Sequence, residues 1–214
     1  MSNSPIQISE FITNFYSFFP LLSQECTPWD LIDSLEKQLE KYGAAVTTES
    51  FKRESEALIH NMATVENNVT IKGKVIVESG CLIRSGAYLR GPIYLGPNVT
   101  IGANCEIKQS MIFENSSIAH LNYVGNSIIG ENVNLEAGAI LANHFNERKN
   151  KEITILHQGK TIETNVTKFG SVIGDGSKVG ANSVLNPGTL LSRDTVVDRL
   201  THVNQLKDYQ TDRT

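Results

Sequence analysis

Residues 65–107 read VENNVTIKGKVIVESGCLIRSGAYLRGPIYLGPNVTIGANCEI, and every sixth position is aliphatic: Val65, Ile71, Val77, Ile83, Leu89, Leu95, Ile101 and Ile107. An α-helix repeats every 3.6 residues and a half-buried strand every two, so neither produces this beat. After a five-residue step it resumes at Ile112, Ile118 and Val124, and after a second at Ile129, Leu135 and Leu141. It pauses, then returns at Ile173, Val179, Leu185, Leu191 and Val197. Four residues after most of these the side chain is small or apolar, as at Val69, Cys81, Ala87, Cys105, Ala139 and Ser183, and Gly often follows the beat directly, as at Gly102 and Gly180. A fixed short repeat of this kind is the signature of a parallel β-helix, in which each coil buries its inner side chains against its neighbours.

The 214 residues, 40% hydrophobic and 20% charged, describe one globular chain with room for a small appendage. No run of apolar residues is long enough to span a membrane, and no signal peptide is expected at the N-terminus. A net charge of -4 argues against a nucleic-acid partner. Cys26, Cys81 and Cys105 show neither a disulfide framework nor a zinc motif; the last two fall on inward positions, where a thiol acts as a small hydrophobe. A reducing, cytoplasmic setting is expected, with no metal.

Residues 1–60 have a different texture. Thr27 and Pro28 suit the start of a helix carrying Leu31, Ile32, Leu35 and Leu39 on one face, with Gly43 as its stop. Phe11, Ile12, Phe15, Phe18 and Phe19 suggest an earlier helix. This appendage is expected to pack on the end of the solenoid or on a neighbouring subunit, hiding an edge. The solenoid is expected over 61–200, with a tail at 201–214. The excursion at about 143–170 holds a polar tract from Glu147 to Lys151, then a β-hairpin of Ile153–Leu156 and Thr161–Thr164 with Gly159 in its turn. Loops carried on rigid scaffolds commonly hold function.

If three hexads make one coil, Leu89, Ile107, Val124 and Leu141 form one column, and Arg90 and Lys108 lie one coil apart, roughly 5 Å, on one edge. The excursion leaves that same edge at Asn143. Glu106, His120 and Tyr123 fall on or beside the adjoining face, and Asn134 at its far corner. Stacked cations repel, so an anion is expected to compensate them.

The stretch Ile118-Ala-His-Leu-Asn-Tyr-Val-Gly-Asn126, continuing through Ile129-Gly-Glu-Asn-Val-Asn-Leu135 into Ala142-Asn143, resembles the acetyltransferase domain of the bifunctional UDP-N-acetylglucosamine pyrophosphorylase/glucosamine-1-phosphate N-acetyltransferases. The hairpin and Val166-Thr-Lys-Phe-Gly170 look more like archaeal-type sugar-phosphate transferases of that class. The resemblance spans roughly 65–200. It implies a left-handed β-helix, a homotrimer with sites between subunits, and acetyl-CoA as co-substrate. Matched by position, it implies His120 as general base and Glu106 as the carboxylate orienting it. Arg90 and Lys108 would bind the sugar phosphate, Tyr123, Asn134, Asn143 and Lys149 would contact the substrate, and Ala137 and Ala181 would contact acetyl-CoA. Glu136 departs from the usual Gly and His144 from the bacterial Tyr, and the preceding nucleotidyltransferase domain is not matched.

The chemistry suits these residue types. An amine attacking a thioester must lose a proton, and a histidine can accept it near neutral pH. A carboxylate would fix its tautomer, and paired cations would anchor a phosphate through charge-assisted hydrogen bonds. Two alternatives stay open: acyl transfer to a nucleotide-linked sugar or another small acceptor, and a trimeric scaffold or regulatory subunit that has lost catalysis. A metal-dependent hydratase would need three interfacial histidines, a spacing not found here. Lys168, Arg193 and Arg199 could meet CoA phosphates but are read as solvent-facing.

Overall fold

The computed structural model describes residues 6–18, 26–45 and 49–206. Its body is a β-solenoid of stacked coils joined by parallel ladders. Three inward columns run its length. The first pairs Ile71 with Leu89, Ile107, Val124, Leu141, Leu185 and Val203. The second runs Ile59, Val77, Leu95, Ile112, Ile129, Ile173 and Leu191. The third runs Val65, Ile83, Ile101, Ile118, Leu135, Val179 and Val197. Three hexads therefore close each coil, as the spacing predicts, and the five-residue steps keep register.

The interior is a continuous apolar cluster in which Leu89, Ile107, Val124, Leu135 and Leu185 are fully buried. Small side chains fill the tight corners. Cys81 donates to the Gly96 carbonyl at 3.1 Å and Cys105 to that of Ala119 at 2.7 Å. Both are free thiols, and burial pushes Cys81 up to about 12. The coil corners repeatedly require positive φ, and Asn98, Asn104 and Asn132 meet that need at 58°, 57° and 56°, where their short polar side chains tolerate the left-handed region.

A second core lies outside the solenoid. The outward residues of the second face, Ile76, Tyr94, Met111, Ile128, Val172 and Leu190, form one apolar stripe across six coils. The N-terminal region covers it with Ile8, Phe11, Ile12, Phe15, Trp29 and Leu35. It therefore lies along a lateral face of its own solenoid, whereas the solenoid's end or a neighbouring subunit was expected. The physical reason is that stripe: each such side chain left in water would forgo roughly 1.5–3 kcal/mol of burial. Polar anchors fix the placement. Asp175 accepts from the Thr13 backbone at 2.8 Å and its hydroxyl at 2.9 Å, Arg193 donates to the Phe11 carbonyl at 3.2 Å, and Tyr42 donates to Glu78 at 2.6 Å.

The helices differ from expectation in detail. Instead of one helix stopped at Gly43 there are two, α2 (Pro28–Asp33) and α3 (Leu35–Ala45), following a short α1 (Phe15–Phe18). Thr27 caps α2 by accepting from the Asp30 amide at 3.3 Å. Helix α3 runs through Gly43, whose missing side chain makes room for Leu58: an added Cβ would stand 3.1 Å from it. Phe19 lies outside the described residues. An antiparallel pair, Phe51–Glu54 with Ala57–His60, feeds directly into the first coil, because Leu58 and Ile59 already pair with Ile76 and Val77.

The excursion leaves after Leu141 and returns at Ser171. Its hairpin pairs Thr154–His157 with Lys160–Glu163 around Gln158 and Gly159, both at positive φ. Phe145, Ile153, Ile155 and Phe169 carry it into the second core, where Phe169 meets Trp29 edge-on at 6.1 Å. The loop is thus clamped beside the edge it leaves.

Candidate active site

The first-face edge holds the charged residues. Register places Lys72, Arg90, Lys108 and Gly125 directly above one another. Two cations one strand spacing apart repel by about 1 kcal/mol in bulk water and about 3 kcal/mol at an effective dielectric of 20. Arg90 relieves this by donating to Glu106 at 2.6 Å. Lys108 has no carboxylate partner among the described residues; burial, then Lys168, then Arg90 hold its ammonium below the usual lysine range. The anion expected to compensate the pair is therefore bonded to Arg90; the Glu106 charge also opposes the lowering at Lys108, but no carboxylate pairs with that ammonium among the described residues.

Gly125 opens space above Lys108. A Cβ there would lie 2.7 Å from the Tyr123 hydroxyl and 2.9 Å from Asn143 Cγ. Tyr123 is raised by burial and by the Glu106 charge, with Arg90 and Asn143 opposing. Asn143 is buried and donates from Nδ2 to Asn126 Oδ1 at 2.6 Å, while its Oδ1 lies 3.2 Å from His144 Nδ1. Its backbone carbonyl accepts from the Phe169 amide at 2.9 Å, tying the loop's exit to its return. Lys149 sits on the exposed stretch of the loop, with no ion pair among the described residues.

His120 stands elsewhere. It is exposed at the corner between the third and first faces, and its carbonyl accepts from the Gly138 amide at 3.1 Å and the Asn122 side chain at 3.3 Å. Main-chain bonds across successive coils put Ala103, His120, Ala137, Ala181 and Arg199 on that corner. The expected base and the two expected acetyl-CoA contacts thus share one column. Glu136 reaches across it: its carboxylate accepts from the Ala181 amide at 2.9 Å and from Arg199 at 2.7 and 2.6 Å. Asn134 belongs to the third face, stacked with Ser117 and Lys178, and with Glu136 and Arg199 it lines a groove of about 210 Å³.

The geometry therefore separates the expected residues into two groups within one chain. Arg90, Lys108, Tyr123 and Asn143 converge with Glu106 at one end of the first face; His120, Ala137 and Ala181 occupy the corner at its other end, with Asn134 beyond. Glu106, expected to orient His120, is bonded to Arg90, and no hydrogen bond joins it to His120 among the described residues. Register sets Glu106 opposite Tyr88 and Tyr123, two residues before Lys108 and within reach of Arg90, and the side-chain geometry gives it to that guanidinium. Asn126 and the place of Lys168 beside Lys108 carry no site signal in the sequence. Asn126 looks there like another corner asparagine, and the approach of Lys168 depends on how the long loop folds back. Among the described residues no group of three or more His, Cys, Asp or Glu could hold a metal ion, and no helix is long and apolar enough to cross a membrane.

Comparison with known proteins places these features in context. Residues 73–167 match the family described as the GMPPB C-terminal domain. The chain is 46% identical over 70 residues to a bifunctional sugar-1-phosphate nucleotidylyltransferase/acetyltransferase of Sulfurisphaera tokodaii, covering 32% of this chain and 17% of that one. It is 48% identical over 71 residues to the bifunctional protein GlmU of Methanococcus maripaludis, covering 33% of this chain and 16% of that one. The matched segment is thus about one sixth of these relatives' length. The resemblance read from the sequence agrees with these matches. Similar solved structures include a point mutant of AntD, an N-acyltransferase of Bacillus cereus in complex with dTDP and coenzyme A, at 15% identity and TM-score 0.37, covering 74% of this chain and 87% of that one. Another is a point mutant of perosamine N-acetyltransferase of Caulobacter crescentus in complex with CoA and GDP-perosamine, at 17% identity and TM-score 0.29, covering 66% of this chain and 50% of that one.

Proposed function

We propose that this protein transfers the acetyl group of acetyl-CoA to the amine of an amino-sugar phosphate, with glucosamine-1-phosphate as acceptor. The observation that carries this reading is Lys108: a partly buried ammonium with Lys168 and Arg90 beside it, no carboxylate of its own among the described residues, and polar side chains above it at the base of a clamped loop. A sugar phosphate supplies the missing anion and presents hydroxyls and an amine to Tyr123 and Asn143. The relatives' names, which pair sugar-1-phosphate nucleotidylyl transfer with acetyl transfer, support the same class.

In this reading His120 takes the amine proton as nitrogen attacks the thioester carbonyl, the C–S bond breaks, and the thiolate leaves as thiol. Acetyl-CoA lies along the corner of Ala137 and Ala181. Because His120 and Lys108 mark opposite ends of one face, the base of one copy serves the phosphate end of another. A homotrimer, a left-handed winding and a cytoplasmic setting belong to the same reading. The test is thiol release from acetyl-CoA with glucosamine-1-phosphate, run beside His120→Ala with light scattering to check assembly. Turnover by the native protein and none by an equally assembled variant is expected; undiminished turnover by the variant overturns the role of His120.

One observation favours a nucleotide-linked amino sugar as acceptor instead. Lys72 extends the cation column to a third coil, and its Nζ and the Arg90 guanidinium lie 5.2 and 5.8 Å from the Tyr88 ring centre. Parallel rates with the sugar phosphate and its nucleoside-diphosphate form separate the two. Absence of both turnover and CoA binding would leave the scaffold reading.

A further inference from the structure

His144 has no part in the mechanism above, yet its imidazole meets a buried amide at the cation edge. It is exposed, and its Nδ1 lies 3.2 Å from Asn143 Oδ1. With Asn126 Oδ1 turned toward it, Asn143 donates from Nδ2 at 2.6 Å and would lose that bond by reversing its own amide; the two residues are buried, at 4% and 2% exposure. The Asn126 backbone is held on both sides, its main-chain N–H donating to the Lys108 carbonyl at 2.9 Å and its main-chain carbonyl accepting from the Gly170 amide at 3.0 Å. With Oδ1 of Asn143 as acceptor, Nδ1 of His144 must carry the ring proton, and Nε2 keeps its lone pair. His202 also meets an amide, Asn186 Oδ1 at 2.9 Å, but on a later coil, away from the cation edge.

We propose that His144 is a second proton acceptor of the candidate site, its Nε2 taking a proton from the ammonium form of the acceptor amine held at Lys108. This rests on the transfer reading. An amino sugar enters largely as R–NH3+, whereas attack requires R–NH2, so forming the amide removes two protons from nitrogen. His144 takes the first before attack and releases it to solvent. His120 of a neighbouring copy takes the second as the N–C bond forms, and the departing thiolate sulfur receives it when the C–S bond breaks. No oxidant or reductant is involved. The charged and titratable groups of the edge that the loop leaves are Arg90, Glu106, Lys108, Lys168 and Tyr123, and Glu147, Arg148 and Lys149 follow His144 in the loop.

Two measurements on the full chain test this. Long-range proton–nitrogen correlation spectra of ¹⁵N-histidine-labelled protein, with the His144 signals assigned by their loss in His144→Gln, report the tautomer without any need for turnover. The Nδ1-protonated form is expected. It should be scrambled in Asn143→Ala and retained in Asn143→Asp, which keeps an acceptor oxygen in place. An Nε2-protonated ring in the native protein overturns the proposal. Kinetics supply the second readout. An amine with a pKa near 8 is about one-tenth neutral at pH 7. His144→Gln should therefore lose about 10-fold in kcat/KM at pH 7 and less than about 2-fold at pH 9, where the amine is already neutral. An equal loss at both pH values marks a merely structural residue and overturns the proposal. No turnover by the native protein at either pH, with acceptor and acetyl-CoA present, defeats the transfer reading itself, and the tautomer result then stands apart from it.

Discussion

Replacing Glu106 by Gln distinguishes the pairing seen in the structure from the role its sequence position implies. The carboxylate is bonded to Arg90 at 2.6 Å, with both side chains part-exposed at 34% and 44%. A pair so exposed contributes about 0.2–1 kcal/mol, so the variant should keep its stability to within about 1 kcal/mol. Its effect on anions should be larger. A phosphate dianion seated between Arg90 and Lys108 lies about one strand spacing, ~5 Å, from that carboxylate, and repulsion there amounts to about 1.5 kcal/mol in water before screening. Removing it, and freeing Arg90, should tighten phosphate binding about 3- to 10-fold at low salt, and the gain should shrink in 0.5 M salt, where the screening length is only a few ångströms. Calorimetric titration with inorganic phosphate and with glucosamine-1-phosphate reads this directly. Turnover at saturating substrate should change less than about 3-fold. Unchanged phosphate affinity together with a loss in kcat of about 100-fold or more is the behaviour of a carboxylate that orients a catalytic histidine, and it would refute the reasoning.

Other residues make separate demands. Gly125→Ala should drive a methyl into Tyr123 and the pinned Asn143, costing about 1–3 kcal/mol in urea unfolding and weakening phosphate binding together; an unaltered variant would show that the space is not needed. Met111→Ala empties a fully buried position between solenoid and N-terminal region and should cost about 2–5 kcal/mol, with faster proteolysis ahead of residue 50; a loss below about 1 kcal/mol would mean that the lateral cover is loosely packed. The ammonium of Lys108 is held below its ordinary value, so phosphate affinity should begin to fall at a pH below the usual lysine range, and Lys108→Met should abolish that step in a pH series of titrations. The thiol of Cys81 is raised from 9.0 to about 12, so in that window the unfolded chain has released a proton that the folded chain retains; this contribution to stability falls as pH rises from about 9 to 12, and Cys81→Ala should flatten that part of the profile.

The coil geometry was legible because a six-residue beat, unlike a single amphipathic segment, fixes register as well as burial: once Leu89, Ile107 and Val124 are stacked, Arg90 must lie over Lys108. The corner shared by His120, Ala137 and Ala181 follows from the same arithmetic. The lateral stripe was legible in principle, since Ile76, Tyr94, Met111, Ile128 and Val172 each precede a beat residue, where an outward side chain is usually polar. The beat itself does not show it, because the beat marks only inward positions. What the sequence could not reveal was partner choice. Glu106 lies within reach of more than one group by register, and only side-chain geometry gives it to Arg90. Asn126 and Asn143 carry no periodic signal that they bond each other, because the loop between them must first be folded back against Trp29 and Phe169. The repeat therefore determines which residues share an edge, while the irregular elements, the lateral cover and the clamped loop, determine how those residues are oriented. Substitutions within the beat should accordingly act on stability, substitutions at Asn126 and Asn143 on the chemistry at Lys108 and His144, and substitutions at the buried Phe169 on both.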